Sequence, residues 1–385
     1  MVLHFDEAEF DRRKRRAQQA LVAAGLDGLL AFKPETQYWL TGFDSFGYVF
    51  FQCLYFGADG RTMLLTRAPD LRQAQLTSDI EDIRIWEDRE DASPADQLRD
   101  VLAEFGLQGA RLGVETDTYG LTARNGRRLD AAMDGFCTLE EANETVSRLR
   151  AVKSEAEIAY VRKAAELGDR AFEAGLQEIR PGAFEGDVLA AMQGAVFRGG
   201  GDYAGNEFIV GSGDHALLCR YQTGRRHLER TDQLTLEWAG VTKRYHAALM
   251  RTVAVGQASP RQRDMAEAAH EALLAVEETL TPGNTFGAGF DAHARVLDAA
   301  GLKPHRLNAC GYSLGAVFAP NWMDWPMLYH GNPVEIAPGM VIFVHIIVVD
   351  SDSGLAMCPG RTSLIGARGA EPLSRLPLEL TVAGG

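Results

Sequence analysis

The chain has 385 residues, room for two or three domains at roughly 150 residues each. Apolar residues make up 46% and charged residues 24%, ordinary globular usage that excludes collagen-like repeats, coiled coil and disorder. Acidic residues outnumber basic ones 53 to 39, and the net charge of −14 argues against nucleic acid and anionic membranes as partners.

Met1 to Arg16 runs acidic then basic with no apolar segment, so no secretory signal is expected. The longest strongly apolar stretch, 340–349, is far short of the roughly 20 residues a membrane helix needs. The expected location is cytoplasmic. Cys53, Cys137, Cys219, Cys310 and Cys358 are widely spaced and form no C-x-x-C, which fits reduced core residues.

Periodicity predicts a helix over 10–24, strands over 28–32, 48–56, 62–66, 82–86 and 111–115, and helices over 94–105 and 121–133. That pattern is a small α/β domain over 1–149. Ser154 and Glu157 form a capping-box pattern opening a long helix, and a second domain runs over 150–385. Within it the Ser154 helix stops at Pro181-Gly182 and a helix opened by Ser259 and Gln262 stops at Pro282-Gly283, each followed by another helix. β-rich segments follow each pair, at 206–255 around a turn at Gly224 and at 305–365. The echo predicts two halves sharing one sheet, with a ligand cleft between them.

Four stretches carry chemistry. The glycine-flanked loop Gly211-Ser212-Gly213-Asp214-His215 presents a histidine beside Arg220 and Tyr221, the near-neutral group a general base requires. Strand alternation over 234–238 turns Leu234, Leu236 and Trp238 to one face and Thr235 and Glu237 to the other. A carboxylate inside so apolar a strand needs a partner, either Arg251 in a structural salt bridge or a ligand. Next, Cys310 to Gly315 leads into an aromatic loop, and three of the five tryptophans are Trp238, Trp322 and Trp325. Aromatic faces with a carboxylate suit a cationic ligand, and a core-filling loop has the same composition. Last, Pro338-Gly339 turns into an apolar strand carrying His345, which burial alone also explains. No dinucleotide, P-loop, serine-hydrolase or zincin motif occurs.

Together these stretches resemble the creatinase, prolidase and methionine aminopeptidase superfamily, the pita-bread fold. The marks are Leu149-Arg150-Ala151-Val152-Lys153-Ser154 with Glu157-Ile158, both Pro-Gly turns, Arg251-Thr252-Val253, Gly311 with Gly315, and Pro338-Gly339-Met340. The resemblance implies an α+β fold, a pita-bread C-terminal domain of pseudo-twofold helices packed on a curved β-sheet, with a smaller α/β creatinase-type N-terminal domain. Peptidases of the superfamily hold two metal ions with two Asp, one His and two Glu. By the same resemblance those places here carry Glu237, Ala248, Tyr312, His345 and, approximately, Gly360.

No metal and no other cofactor is therefore expected, and the chain looks like the metal-free branch that contains creatinase and ectoine hydrolase. His215 sits where creatinase keeps its catalytic histidine, while Glu237-Trp238-Ala239-Gly240, Arg244-Tyr245-His246 and Pro320-Asn321-Trp322 look closer to ectoine hydrolase. The implied reaction is metal-independent C–N hydrolysis of a small cyclic amidine, amide or guanidino acid, with Glu237 holding the amidinium and His215 as general base. Trp238, Trp322 or Trp325 would line the pocket, Arg220 or Arg251 would hold a substrate carboxylate, and Tyr221, His246, Tyr312 and His345 complete the candidate set. Alternatives are a non-catalytic binding or dimer-forming protein, a metal-dependent Xaa-Pro dipeptidase and a sulfonium lyase. The branch also implies a homodimer in which Phe46 and Tyr48 reach the partner's site.

Overall fold

The computed structural model describes residues 3–220 and 224–384. The chain divides into two compact units, Met1–Arg150 and Ala151–Gly385. The first contains helices α1 (Glu7–Ala23), α2 (Pro34–Thr41), α3 (Leu71–Thr77), α4 (Pro94–Glu104), α5 (Ala123–Met133) and α6 (Thr145–Ala151), the last ending at the boundary. Its strands are β1 (Gly28–Ala31), β2 (Cys53–Gly57), β3 (Thr62–Arg67), β4 (Asp82–Trp86), β5 (Arg111–Val114) and β6 (Thr138–Glu141). They form one mixed sheet in the order β4-β3-β2-β1-β5-β6. The strand expected over 48–56 starts only at Cys53, because Gly47–Val49 is a 3-10 turn.

One buried carboxylate organises this unit. Pro34 opens α2 without a side-chain cap from Lys33. Glu115 supplies the missing acceptor from the end of β5, taking the Lys33 N–H at 2.9 Å and the Thr36 hydroxyl at 2.6 Å. Burial raises the Glu115 carboxyl to about 7, against the lowering effects of Lys33 and Thr36.

The second unit contains α7 (Glu155–Leu176), α8 (Glu185–Arg198), α9 (Pro260–Thr279) and α10 (Phe286–Ala299). Its strands are β7 (Ile209–Ser212), β8 (Gln233–Thr242), β9 (Tyr245–Val255), β10 (Ala309–Ser313), β11 (Asp324–Tyr329), β12 (Val341–His345), β13 (Val348–Asp350), β14 (Leu355–Met357), β15 (Gly360–Gly366), β16 (Gly369–Pro372) and β17 (Thr381–Ala383). Ser154 and Glu157 close a capping box at α7, and Ser259 and Gln262 do the same at α9. Among the described residues nine strands share one sheet, whose main path is β11-β10-β12-β15-β9-β8-β7. The fold is thus α+β, with a helix pair behind each half of the sheet.

α7 lies against β8 and β9 because Gly240 has no side chain: a Cβ there would stand 1.8 Å from the Ala164 carbonyl oxygen. Behind the other half, α9 and α10 bury Ile342, Val344 and Ile346 in a cluster with Leu273, Val276 and Phe290. Even-numbered residues of β12 therefore face the helices, and Val341, Phe343 and His345 face away. The hairpin turn falls at Lys243-Arg244, not at Gly224, and among the described residues of 213–232 no strand forms. Both turn residues have positive φ, 50° and 67°, the two-residue geometry that matches strand twist. All five cysteines are free; Cys53, Cys310 and Cys358 are buried, while Cys137 and Cys219 are only half-buried.

Candidate active site

Register across the sheet brings the site together. Glu237 of β8 is paired with Met250 of β9, Met250 with Gly360 of β15, and Gly360 with His345 of β12. One step along, Phe343 is paired with Tyr312 of β10. Directly paired residues, and residues two apart on a strand, share a face. Glu237, Ala248, Met250, Gly360, Phe343, His345 and Tyr312 are thus on the face away from the helices. The rings of Tyr312, Phe343 and His345 cluster there, with centroids 5.3–5.5 Å apart.

Three polar groups on this face have hydrogen-bonding capacity to spare. Glu237 is 6% exposed, and no described residue hydrogen-bonds its carboxylate. Burial raises that carboxyl to about 7, and the positive charge of Arg220 opposes the rise. Tyr312 accepts the indole N–H of Trp322 at 2.9 Å, and its own hydroxyl hydrogen has no acceptor among the described residues. Burial, then the charge of Glu237, holds that phenol well above its ordinary value. His345 Nδ1 is enclosed without a partner among the described residues. Burial, with His293 and Arg220, depresses the ring to about 3, so it is neutral at physiological pH. Leaving a buried polar atom such as His345 Nδ1 unsatisfied costs about 1–3 kcal/mol, and with Glu237 and Tyr312 incompletely bonded on the same face it marks a place a ligand completes.

His215 lies half-buried in the 3-10 turn Gly213–Leu217 that follows β7, and Arg220 is exposed just beyond it, donating to the Cys219 carbonyl at 3.3 Å. Tyr221 lies outside the described residues. His246 is on the correct face but fully engaged. Its Nδ1 donates to the Arg244 carbonyl at 2.7 Å and its Nε2 accepts the Gly205 N–H at 2.8 Å. Burial lowers it to about 4. It pins the segment around Gly205, where a Cβ would stand 2.8 Å from the Asn321 carbonyl oxygen, and so steadies the loop that delivers Trp322. A cavity of about 390 Å³ lies beside that segment, walled by Phe197, Tyr203, Gly205 and Pro320 among others.

Several sequence expectations fail on geometry. Trp238 faces the helices, stacked on Phe172 at 5.3 Å with its indole N–H given to the Gly168 carbonyl at 2.8 Å. Arg251 is on that same face, opposite Leu236. Its guanidinium is spent on the carbonyls of Met250, Gly360, Pro377 and Leu376, so it neither pairs with Glu237 nor binds substrate. Trp325 packs on the α9–α10 core, not in the site. Tyr48 is buried, which removes it from reach of a partner subunit, whereas Phe46 is 70% exposed. Met250 and Phe343, the apolar floor between Glu237 and the Tyr312–His345 end, were missed; alternation counted back from His345 finds Phe343 at once.

These residues do not fit a centre for two divalent ions. Of the five places that the resemblance assigns to ligands, one carries a carboxylate and one an imidazole, where hard cations need several oxygen ligands. Among the described residues no three His, Cys, Asp or Glu side chains form a group able to hold a metal ion. At Gly360 a Cβ would already stand 3.0 Å from the Phe343 ring and 3.1 Å from Met250 Cβ.

The comparisons agree with this architecture. Residues 159–369 match the model of metallopeptidase family M24, and residues 13–152 match the creatinase/prolidase N-terminal domain. The chain belongs to family M24. The ectoine hydrolase of Halomonas elongata is 27% identical over 99% of this chain and 98% of its own length. A Xaa-Pro dipeptidase of Pyrococcus furiosus is 25% identical over 63% of this chain and 68% of its own. The crystal structure of a dipeptidase from Mycobacterium ulcerans superposes with a TM-score of 0.85 at 24% identity, covering 98% of this chain and 99% of that one, which shows the pita-bread fold. No helix among the described residues is long and apolar enough to cross a membrane.

Proposed function

We propose that this family M24 hydrolase opens C–N bonds in small cationic acids without a resident metal, a cyclic amidine of the ectoine type being its substrate. The observation that carries the reading is Glu237, a buried carboxylate without a hydrogen-bond partner among the described residues. A metal serves to polarise a neutral amide. An amidinium already bears positive charge at the carbon to be attacked, so a single carboxylate that binds and orients it replaces that service.

In this reading Glu237 pairs with the amidinium. His215 takes a proton from water as the C–O bond forms, then returns one to the leaving nitrogen as the C–N bond breaks. Amidine and water become an amide bearing a free amine, and atoms balance without any co-reactant. The exposed Phe46 is carried in the same reading as the residue offered to a second subunit of a cytoplasmic homodimer.

The relative that is a Xaa-Pro dipeptidase keeps a second reading alive, metal-dependent cleavage before proline. Thermal unfolding with ectoine, hydroxyectoine, creatine and proline dipeptides separates the two. A ligand at 100 times its Kd raises stability by about 2.7 kcal/mol, and the shift is expected with the cyclic amidines. His215→Ala is expected to lose about 10²-fold or more in turnover while keeping that shift. Hydrolysis of proline dipeptides in proportion to added divalent metal overturns the proposal.

A further inference from the structure

The Tyr312 hydroxyl is constrained more tightly than its burial alone requires. A phenol has one hydrogen to give and lone pairs to receive. Trp322, 1% exposed, already fills a lone pair at 2.9 Å. The indole is itself flanked by His246, ring centroids 6.3 Å apart, and His246 is locked by Arg244 and Gly205. The phenol thus ends a supported chain and retains one unspent donor. It stays protonated, so that hydrogen is available to a ligand.

Its counterpart across the floor is Glu237, which once ionised has only acceptors to offer. Between them Met250 and Phe343 offer nothing but apolar surface. A ligand matched to Glu237 and Tyr312 has a cation at the Glu237 end, a short hydrocarbon middle and an oxygen acceptor at the Tyr312 end, where the neutral His345 ring offers a further hydrogen-bonding nitrogen. Arg220 adds positive charge whose influence reaches Glu237, Tyr312 and His345 alike, which favours a negatively charged acceptor.

We infer that Tyr312 is a specificity-determining residue that donates its hydroxyl hydrogen to a carboxylate oxygen of the substrate, with Trp322 as the positioning residue that fixes the phenol's direction. The inference rests on the amidine-hydrolase reading and assigns the end of the site that reading leaves open. It makes the site selective for zwitterions, and it predicts that the carboxylate is read mainly in binding.

Calorimetric titration and steady-state kinetics of wild type, Tyr312→Phe and Trp322→Phe test it, with ectoine and its carboxamide, which keeps the amidinium and lacks the carboxylate charge, as ligands. Tyr312→Phe removes a single oxygen from a packed ring, and near-ultraviolet circular dichroism reports whether the fold is kept. Its Kd and KM for ectoine are expected to rise about 10- to 100-fold, the usual worth of a hydrogen bond to a charged group, with kcat within about 3-fold. Affinity for the carboxamide is expected to change less than about 3-fold. Trp322→Phe keeps the donor but frees its direction, and its KM is expected to rise less, by about 3- to 10-fold. An ectoine affinity unchanged in Tyr312→Phe, or an equal loss on both ligands, overturns the inference and leaves the hydrolase reading standing. A wild-type protein that binds neither ligand overturns both.

Discussion

Two glutamates, one in each unit, teach how a buried carboxylate should be read. Glu115 and Glu237 are 0% and 6% exposed, and burial raises each carboxyl to about 7. The shifts are alike and the surroundings are not. Glu115 is bonded to the Lys33 N–H and the Thr36 hydroxyl and completes the start of a helix. Glu237 has no such partner among the described residues and shares its face with two more incompletely bonded groups. A raised carboxyl therefore reports burial; the missing partners report a binding place.

The largest effect that would break this contrast is expected from Glu237→Gln. Removing the charge that faces a buried cation is expected to cost about 10²- to 10³-fold in kcat/KM, read from initial rates. The same change is expected to stabilise the fold at alkaline pH. The folded carboxyl holds its proton up to about 7 and the unfolded one only to its ordinary 4.5. Folded protein thus binds more protons between those values, and the wild type loses stability as pH rises through that window. The variant lacks this loss, so its advantage is expected to reach about 3 kcal/mol above pH 7 and to vanish below 4.5, as denaturant titrations at several pH values would show. A uniform destabilisation would mean that Glu237 is structural after all.

Glu115→Ala should give the opposite pattern. It strands the Lys33 N–H and the Thr36 hydroxyl and leaves a void, so about 2–4 kcal/mol of stability is expected to go with kcat/KM unchanged. A fall in kcat/KM in the folded variant would erase the distinction between the two glutamates. The smallest effect is expected from Trp238→Phe, on the helix side of the strand that carries Glu237. Loss of its bond to Gly168 is expected to cost about 1–2 kcal/mol in unfolding experiments and nothing in KM.

Much of the fold is written in local signals. The capping boxes at Ser154 and Ser259 mark helix starts because the side chains that close them lie three residues apart. The Lys243-Arg244 turn was missed because neither residue favours positive φ. Its geometry is supported instead by the Asp202 carboxylate, which accepts the Arg244 N–H, and by His246 at the Arg244 carbonyl, partners distant or unspecified in sequence. Within the site, strand parity places Glu237 correctly and, followed strictly, also sends Trp238 and Arg251 to the other side. Their aromatic and cationic chemistry suggested pocket roles that their faces forbid. No local pattern could reveal that Arg251 is consumed by carbonyls near residues 360 and 376, or that His246 is engaged at both nitrogens. Those are long-range facts of register and loop placement.

Gly360 also bears on what the cleft can hold. By the resemblance, peptidases of this superfamily carry a glutamate at about this place; here the Phe343 ring and Met250 occupy the space, and even a methyl group would press on both. A single reversion at that codon therefore rebuilds nothing, since two neighbours must shrink before a longer side chain gains room. Intermediates along the way would be crowded before they were useful. Packing of this kind makes position 360 depend on its neighbours, so that what it can carry is decided by the Phe343 ring and Met250.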